Sequence, residues 1–190
     1  MKNIITVSRE YGSGGRIIAK KLAETLKIPF YDKELIDITA KKLGLSPDFI
    51  REIEQKKAGS FLYNLYTSSQ NLPINDQIFI AESQVIKQIA EEGPCIILGR
   101  CADYVLKDNK EVLKTFIYSP LEERIKRVEQ DYNSKTDNTK AFIVKKDKRR
   151  ASYYNYYTNG DWGCYKNYDL MVNSFLGIDK TVEIILNLVK

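Results

Sequence analysis

Apolar residues in this chain follow two rhythms, short unbroken runs and longer stretches at helical spacing. Ile4, Ile5 and Val7 make the first run, and Ile17, Ile18, Leu22 and Leu26 then recur three to four apart behind a glycine-rich turn. The first pattern predicts a buried strand and the second an amphipathic helix. "IPFYDKELI" adds a short strand passing at Asp32 into a helix that carries Leu35, Ile36, Ile38 and Leu43. In "GLSPDFIREIEQKK", Ser46 stands as N-cap with Pro47 and Asp48 in the first turn, which predicts another helix. Gly59 to Asp76 reads as a polar and aromatic loop, and helical spacing resumes from Gln77 to Glu92.

Further on, "PCIILGR" is an apolar run stopped by Gly99, so it predicts a buried parallel strand whose end delivers Arg100. "VLKTFIYS" and "YDLMVNS" read as two more strands, with helices "PLEERIKRVEQ" and "GIDKTVEIILNLVK" after them. Strands alternating with helices imply an α/β protein with a parallel sheet. Ligands of such sheets bind at the carboxyl ends of the strands. The loop after the first strand, Asp32 after the second and Arg100 after the third are therefore expected along one edge.

Composition narrows the chemistry. The 190 residues suit one domain, and 43% hydrophobic with 29% charged residues is ordinary for a globular protein. No stretch approaches the length of a membrane helix, and Lys2, Arg9 and Glu10 interrupt any signal-like start, so a cytoplasmic location without membrane partners is expected. Cys95, Cys101 and Cys164 are odd in number and lack zinc-type spacing, and Cys95 reads as core. Histidine is absent altogether, which excludes a Ser-His triad and any histidine-ligated metal. Phosphoryl transfer, which runs on positioning and electrostatics, is the reaction class best suited to such a chain.

The turn after the first strand bears on this. Gly12, Gly14 and Gly15 let backbone amides turn inward, and the following helix adds the positive end of its dipole. The P-loop pattern is GxxxxGK[ST] between a strand and a helix. Aligned on Gly15, the chain has Glu10 at the first glycine, Arg16 at the lysine and Ile17 at the hydroxyl position. The order of elements fits while the spelling departs, so the stretch reads either as a phosphate cradle or as a tight strand-to-helix turn.

A second concentration of charge lies in "KKDKRRASYYNYY", where Lys145 to Arg150 hold five cations broken only by Asp147. On a helix Lys146 and Arg150 share a face, as do Lys145 and Arg149. Three readings stand: a solvated helix face, a nucleic-acid surface with Tyr153, Tyr154, Tyr156 and Tyr157 as stacking platforms, or a flap that brings arginines over phosphates. Net charge of +5 does not choose among them.

Together, "VSREYGSGGRIIAKKLAE", "IPFYDKELI", "GRCADYVL", "SPLEERIKRV" and "DKRRASYYNYYTNGDWG" with "NYDLMVNS" resemble the cytidylate kinase-like family of P-loop proteins, over nearly the whole chain. The resemblance implies a P-loop NTPase fold with a five-stranded parallel sheet flanked by helices, in one domain over 1–190. It also implies a helical acceptor-binding insert at about 46–92 and a lid at about 133–166. The implied reaction moves the γ-phosphoryl group of ATP, with Mg²⁺, to a nucleoside monophosphate such as CMP or dCMP. A nucleotide sensor without turnover, a kinase of another small acceptor, and an RNA-binding protein are the alternatives.

By position, the resemblance implies catalytic roles for Arg16, Arg100, Arg149 and Arg150, and nucleotide contacts at Gly12, Ser13, Gly14, Gly15, Arg16 and Ile17. Asp32, Arg100 and Asp103 are the expected substrate contacts, Asp103 replacing the aspartate whose place Cys101 takes. Ser13 is the expected magnesium ligand, with Ser8 or water alone as the alternatives, because Ile17 has no oxygen to offer. Asp32 reads equally as a helix cap. Tyr63 and Tyr66 fall in the acceptor insert, and Trp162 reads as a loop anchor. Partners beyond nucleotide substrates, and the oligomeric state, are not indicated.

Overall fold

A computed structural model describes residues 3–55, 72–131 and 138–189. Five strands form one sheet: β1 (Ile4–Arg9), β2 (Phe30–Tyr31), β3 (Cys95–Leu98), β4 (Val112–Tyr118) and β5 (Leu170–Asn173). Their order is β2-β3-β1-β4-β5, and every adjacent pair is parallel. β1 is central, with Val7 opposite Leu98 on one side and Thr115 on the other.

Strand alternation explains why the runs are apolar at nearly every position. Ile5, Val7, Ile96, Leu98, Leu113 and Ile117 turn to one face, where they pack with Ile18 and Leu22 of α1 (Gly15–Leu26) and Ile185 of α8 (Ile178–Val189). Ile4, Cys95, Ile97 and Val112 turn to the other, against Leu35 of α2 (Glu34–Leu43) and Val85, Ile86 and Ile89 of α4 (Ile74–Glu92). Both faces are covered, so both must be apolar. A third cluster, built on Ile36, Ala40, Ile50 and Ile78, ties α3 (Pro47–Gln55) to α2 and α4.

Ser46 caps α3 as expected, its hydroxyl accepting the Phe49 amide at 3.2 Å. α4 begins at Ile74, three residues before the helical spacing is evident in the sequence, because Pro73 supplies the turn of entry. Two short pieces complete the site: α5 (Ala102–Val105) behind β3, and α6 (Leu121–Gln130) behind β4. The basic segment is one continuous helix, α7 (Thr139–Thr158), with Asn138 accepting the Ala141 amide as its N-cap. Tyr63 and Tyr66 lie outside the described residues. Among those described, no helix is long and apolar enough to cross a membrane.

Candidate functional site

Parallel strands all deliver their carboxyl ends to one edge, and there the turn between β1 and α1 meets α7. Gly14 takes φ 80°, a left-handed conformation a side chain disfavours, and so starts α1 within the short turn. The turn's outer carbonyls are held from α6: Arg127 donates to the Gly12 oxygen at 2.8 Å and Arg124 to the Tyr11 oxygen at 3.3 Å. Among the described residues, the amides of Gly12, Gly14 and Arg16 have no protein acceptor. Three free donors at the positive end of a helix are a cradle for an anion.

At the same edge, bordered by Ser8 and Arg9 just before the turn, is a cleft of about 390 Å³. Its cationic lining comes from Arg9, Arg100, Lys146, Arg149 and Arg150, with Tyr153, Tyr154 and Trp162 as walls, and no carboxylate is among the described lining residues. Arg100 owes its place to strained backbone: Gly99, Arg100 and Cys101 take φ 76°, 60° and 53° in succession. Each non-glycine residue held there costs about 1–2 kcal/mol, a local strain that aims the Arg100 side chain across the cleft rather than along the sheet. Glu82 of α4, 1% exposed, fixes it there, accepting from Arg100 Nη1 through one oxygen and from the Tyr153 hydroxyl at 3.0 Å through the other.

Helix α7 is docked on the loop by Asp147. Its carboxylate accepts the Tyr11 amide at 2.7 Å and pairs with buried Arg124, while Arg150 donates to the Arg9 carbonyl at 2.8 Å. The break in the basic run is therefore its anchor. Farther along α7 the tyrosines are engaged inside the protein. Tyr154 donates to Asp103 at 2.8 Å, Tyr157 donates to Asp76 at 3.2 Å, and the Tyr157 ring stacks on Phe79 with centroids 4.0 Å apart. Of the four, Tyr156 alone is largely exposed, at 64%. Trp162 packs edge-on against Phe116 at 5.3 Å, as a loop anchor would, and also closes one end of the cleft.

Several expected contacts fall elsewhere. Arg16 points out of the cleft, 60% exposed, with its Nε bonded to Asp32 at 2.6 Å. Asp32 is accordingly an ion-pair partner and not a cap, for α2 starts at Glu34 with Lys33 in the N-cap position and no side-chain cap. Asp103 does not face the cleft: only 2% exposed, it accepts from Ser8 at 3.2 Å and from Tyr154, pinning β1, α5 and α7 together. Burial pushes its carboxyl above the ordinary value of 3.8, against the hydrogen bonds from Tyr154 and Ser8. A raised value means the fold penalises the ionised form, so this contribution to stability is present at low pH and fades as pH rises above that ordinary value. The Asp103→Asn variant should therefore lose less stability than the parent on going from pH 4 to pH 7, measured by urea unfolding. An equal slope would show that the carboxyl is not so perturbed.

Ser13 is fully buried, and its hydroxyl donates to the Glu10 carbonyl at 2.9 Å, turned away from the cleft. It does not fit the expected place as a magnesium ligand. Half-buried Ile17 has no oxygen, and the described residues contain no acidic or cysteine cluster able to hold a metal. A metal ion accompanying ATP would have phosphate oxygens and water as ligands, the usual preference of Mg²⁺.

Arg9, Glu82 and Asp147 escaped the reading of the sequence. Asp147 left a trace there, as the one acid in a basic run. Arg9 and Glu82 left none, since one ends an apolar strand and the other sits within an ordinary helix.

Known proteins resemble this chain in sequence and fold. The chain is 28% identical to the cytidylate kinase of Methanosarcina barkeri over 171 residues, 90% of this chain and 86% of that protein. It is 26% identical to the cytidylate kinase of Methanobrevibacter smithii over the same length, 90% and 88% of the two chains. Among solved structures, an uncharacterized protein from Eubacterium ventriosum matches with a TM-score of 0.74 at 28% identity, covering 98% of this chain and 97% of that one. Shikimate kinase from Acinetobacter baumannii, in complex with shikimate, matches at 0.57 and 17% identity, covering 100% and 93%, and shares the fold. The model of one family matches from the start of β1 to just past β5, residues 4–175, and so takes in both the glycine turn and α7: the chain belongs to the cytidylate kinase-like family.

Proposed function

We propose that the protein is a nucleotide kinase that moves the γ-phosphoryl group of ATP to a nucleoside monophosphate, foremost CMP or dCMP. The observation that carries this reading is the presence, at one edge of the sheet, of a loop with free amides and a cleft whose charged lining, among the described residues, is cationic. One phosphate needs fewer cations than five, whereas a donor and an acceptor meeting end to end bring enough negative charge to balance them. The relatives named cytidylate kinase support a nucleotide as substrate and suggest cytosine as its base.

On this reading the amides of Gly12, Gly14 and Arg16 hold the donor's phosphates, and Arg100, Arg149 and Arg150 hold the acceptor's phosphate and the group in transit. An oxygen of the acceptor phosphate bonds to the γ-phosphorus as the bond to the β–γ bridging oxygen breaks, and ADP leaves. The acceptor oxygen is already ionised at neutral pH, so no general base is required. A chain without histidine can therefore catalyse the step by alignment, exclusion of water and charge. Helices α3 and α4 belong to the acceptor side (46–92), and α7 to the lid (133–166).

The test is incubation of the protein with ATP and Mg²⁺ and, separately, CMP, dCMP, UMP, AMP and GMP, with diphosphate formation followed against an acceptor-free control. Product with CMP or dCMP is the expected result. ATP binding without product from any acceptor would replace the kinase with a nucleotide sensor or a kinase of another small molecule.

A further inference from the structure

The P-loop pattern places its one essential cation just inside the helix, where Arg16 stands. Arg16 is nevertheless exposed, paired with Asp32 and absent from the cleft lining. Arg9, the last residue of β1, has the opposite disposition. Its aliphatic stem lies over Gly15, where an added Cβ would come within 2.6 Å of the Arg9 Cβ, and its guanidinium lies against Gly99, where an added Cβ would overlap Nη1. Glycines at the start of α1 and the end of β3 thus keep open a slot that aims Arg9 into the cleft.

Within that slot the guanidinium has no hydrogen-bond acceptor among the described residues. Its charged neighbours Arg150, Arg100 and Arg16 repel it, and Asp32 favours its charged form. Burial above all, then Arg150, pushes its pKa down. A half-buried cation among cations is costly unless an anion arrives to pair with it, and the forked donors of arginine suit phosphate.

We propose that Arg9 is the cation that grips the phosphate chain in this protein, taking the part that sequence position would give to Arg16. The ligand chemistry is an oligophosphate lying between the loop amides and Arg100. This assignment rests on the phosphotransferase reading above.

Calorimetric titration of the full chain with inorganic tripolyphosphate tests it apart from turnover, using Arg9→Gln, Arg9→Lys and Arg16→Gln. Loss of one forked, charge-assisted contact should weaken binding about tenfold or more in Arg9→Gln, and Arg9→Lys should fall between that variant and the parent. Arg16→Gln, whose partner is Asp32, should weaken binding less than about threefold. Parental affinity in Arg9→Gln, or an equal loss in Arg16→Gln, overturns the assignment. Should Arg9→Gln fail to fold, Arg9→Lys decides: a loss of about threefold or more supports the assignment and parental affinity overturns it, because an ammonium cannot fork to two oxygens. The same variants assayed for transfer separate the two ideas. Binding that depends on Arg9 in a protein that phosphorylates no acceptor keeps this assignment and removes the kinase, while turnover that survives Arg9→Gln does the reverse.

Discussion

Replacing Arg100 by alanine should lower kcat/KM for the nucleoside monophosphate acceptor by about 10³-fold, roughly 4 kcal/mol of transition-state stabilisation. Arg100 is 84% withdrawn from solvent at the side chain, held by Glu82, and aimed by a backbone that stays strained to keep it there. A charge fixed in advance near the transferring group requires no reorganisation when the reaction occurs, which is why such groups contribute so much. The comparison variant is Arg100→Lys. It retains the charge but cannot reach Glu82 and a phosphate with separate nitrogens, so its loss should be smaller yet still large. Steady-state rates with ATP saturating and the acceptor varied would show the effect. A loss below about tenfold for Arg100→Ala would remove Arg100 from the path of the phosphoryl group.

Replacing Glu82 by alanine should cost about 3 kcal/mol of stability, a fall of roughly 6–12 °C in Tm for a domain of this size. The carboxylate is 1% exposed and accepts from two different elements, from Arg100 at the end of β3 and from Tyr153 on α7. Its removal takes an acceptor from a mostly buried guanidinium and from a hydroxyl at once. The lower end of the range for a broken buried pair applies because the Arg100 side chain keeps 16% exposure to water. Activity should fall as well, through loss of the orientation of Arg100, with the larger part of the effect in kcat. Glu82→Gln still offers an oxygen and should recover most of the stability and some of the rate. Thermal unfolding and turnover measured together distinguish this positioning role from a purely structural one, since a structural role would leave kcat unchanged at temperatures where the variant is folded.

These two residues also show how far the sequence could be read. The three inner strands were legible because they are buried on both faces, so Ile4 to Val7, "CIIL" and "VLKTFIY" announce themselves as apolar runs, while the half-buried edge strands β2 and β5 show shorter ones. Alternation with helices then implied a parallel sheet, and a parallel sheet implied an edge where loops gather. Arg100 was legible for the same reason: it follows a run that ends at glycine. Arg149 and Arg150 stood out by local charge density, and α7 does set them on the cleft.

What a local pattern could not convey was the direction of each side chain. Arg16 occupies the position of the P-loop lysine, but Asp32 lies within reach and draws it outward. Asp103 follows Arg100 closely in sequence, but the short turn of α5 points it inward to Ser8 and Tyr154. Ser13 lies in the glycine-rich loop, but the loop's curvature puts its hydroxyl under the chain. Position in a motif specifies where a Cα lies, and pairing between distant elements settles which charges are consumed by the fold and which remain to meet a ligand.

The sequence by itself determined the strands, the loop-to-helix turn, the family and the chemistry a histidine-free basic chain can perform, because hydrophobic periodicity and glycine placement are local properties. Only the tertiary structure decided that Glu82 pairs with Arg100, that Asp147 docks α7 on the loop, and that Arg9 rather than Arg16 faces the cleft. Those outcomes depend on contacts between residues as far apart as Tyr11 and Asp147, which no local pattern can encode.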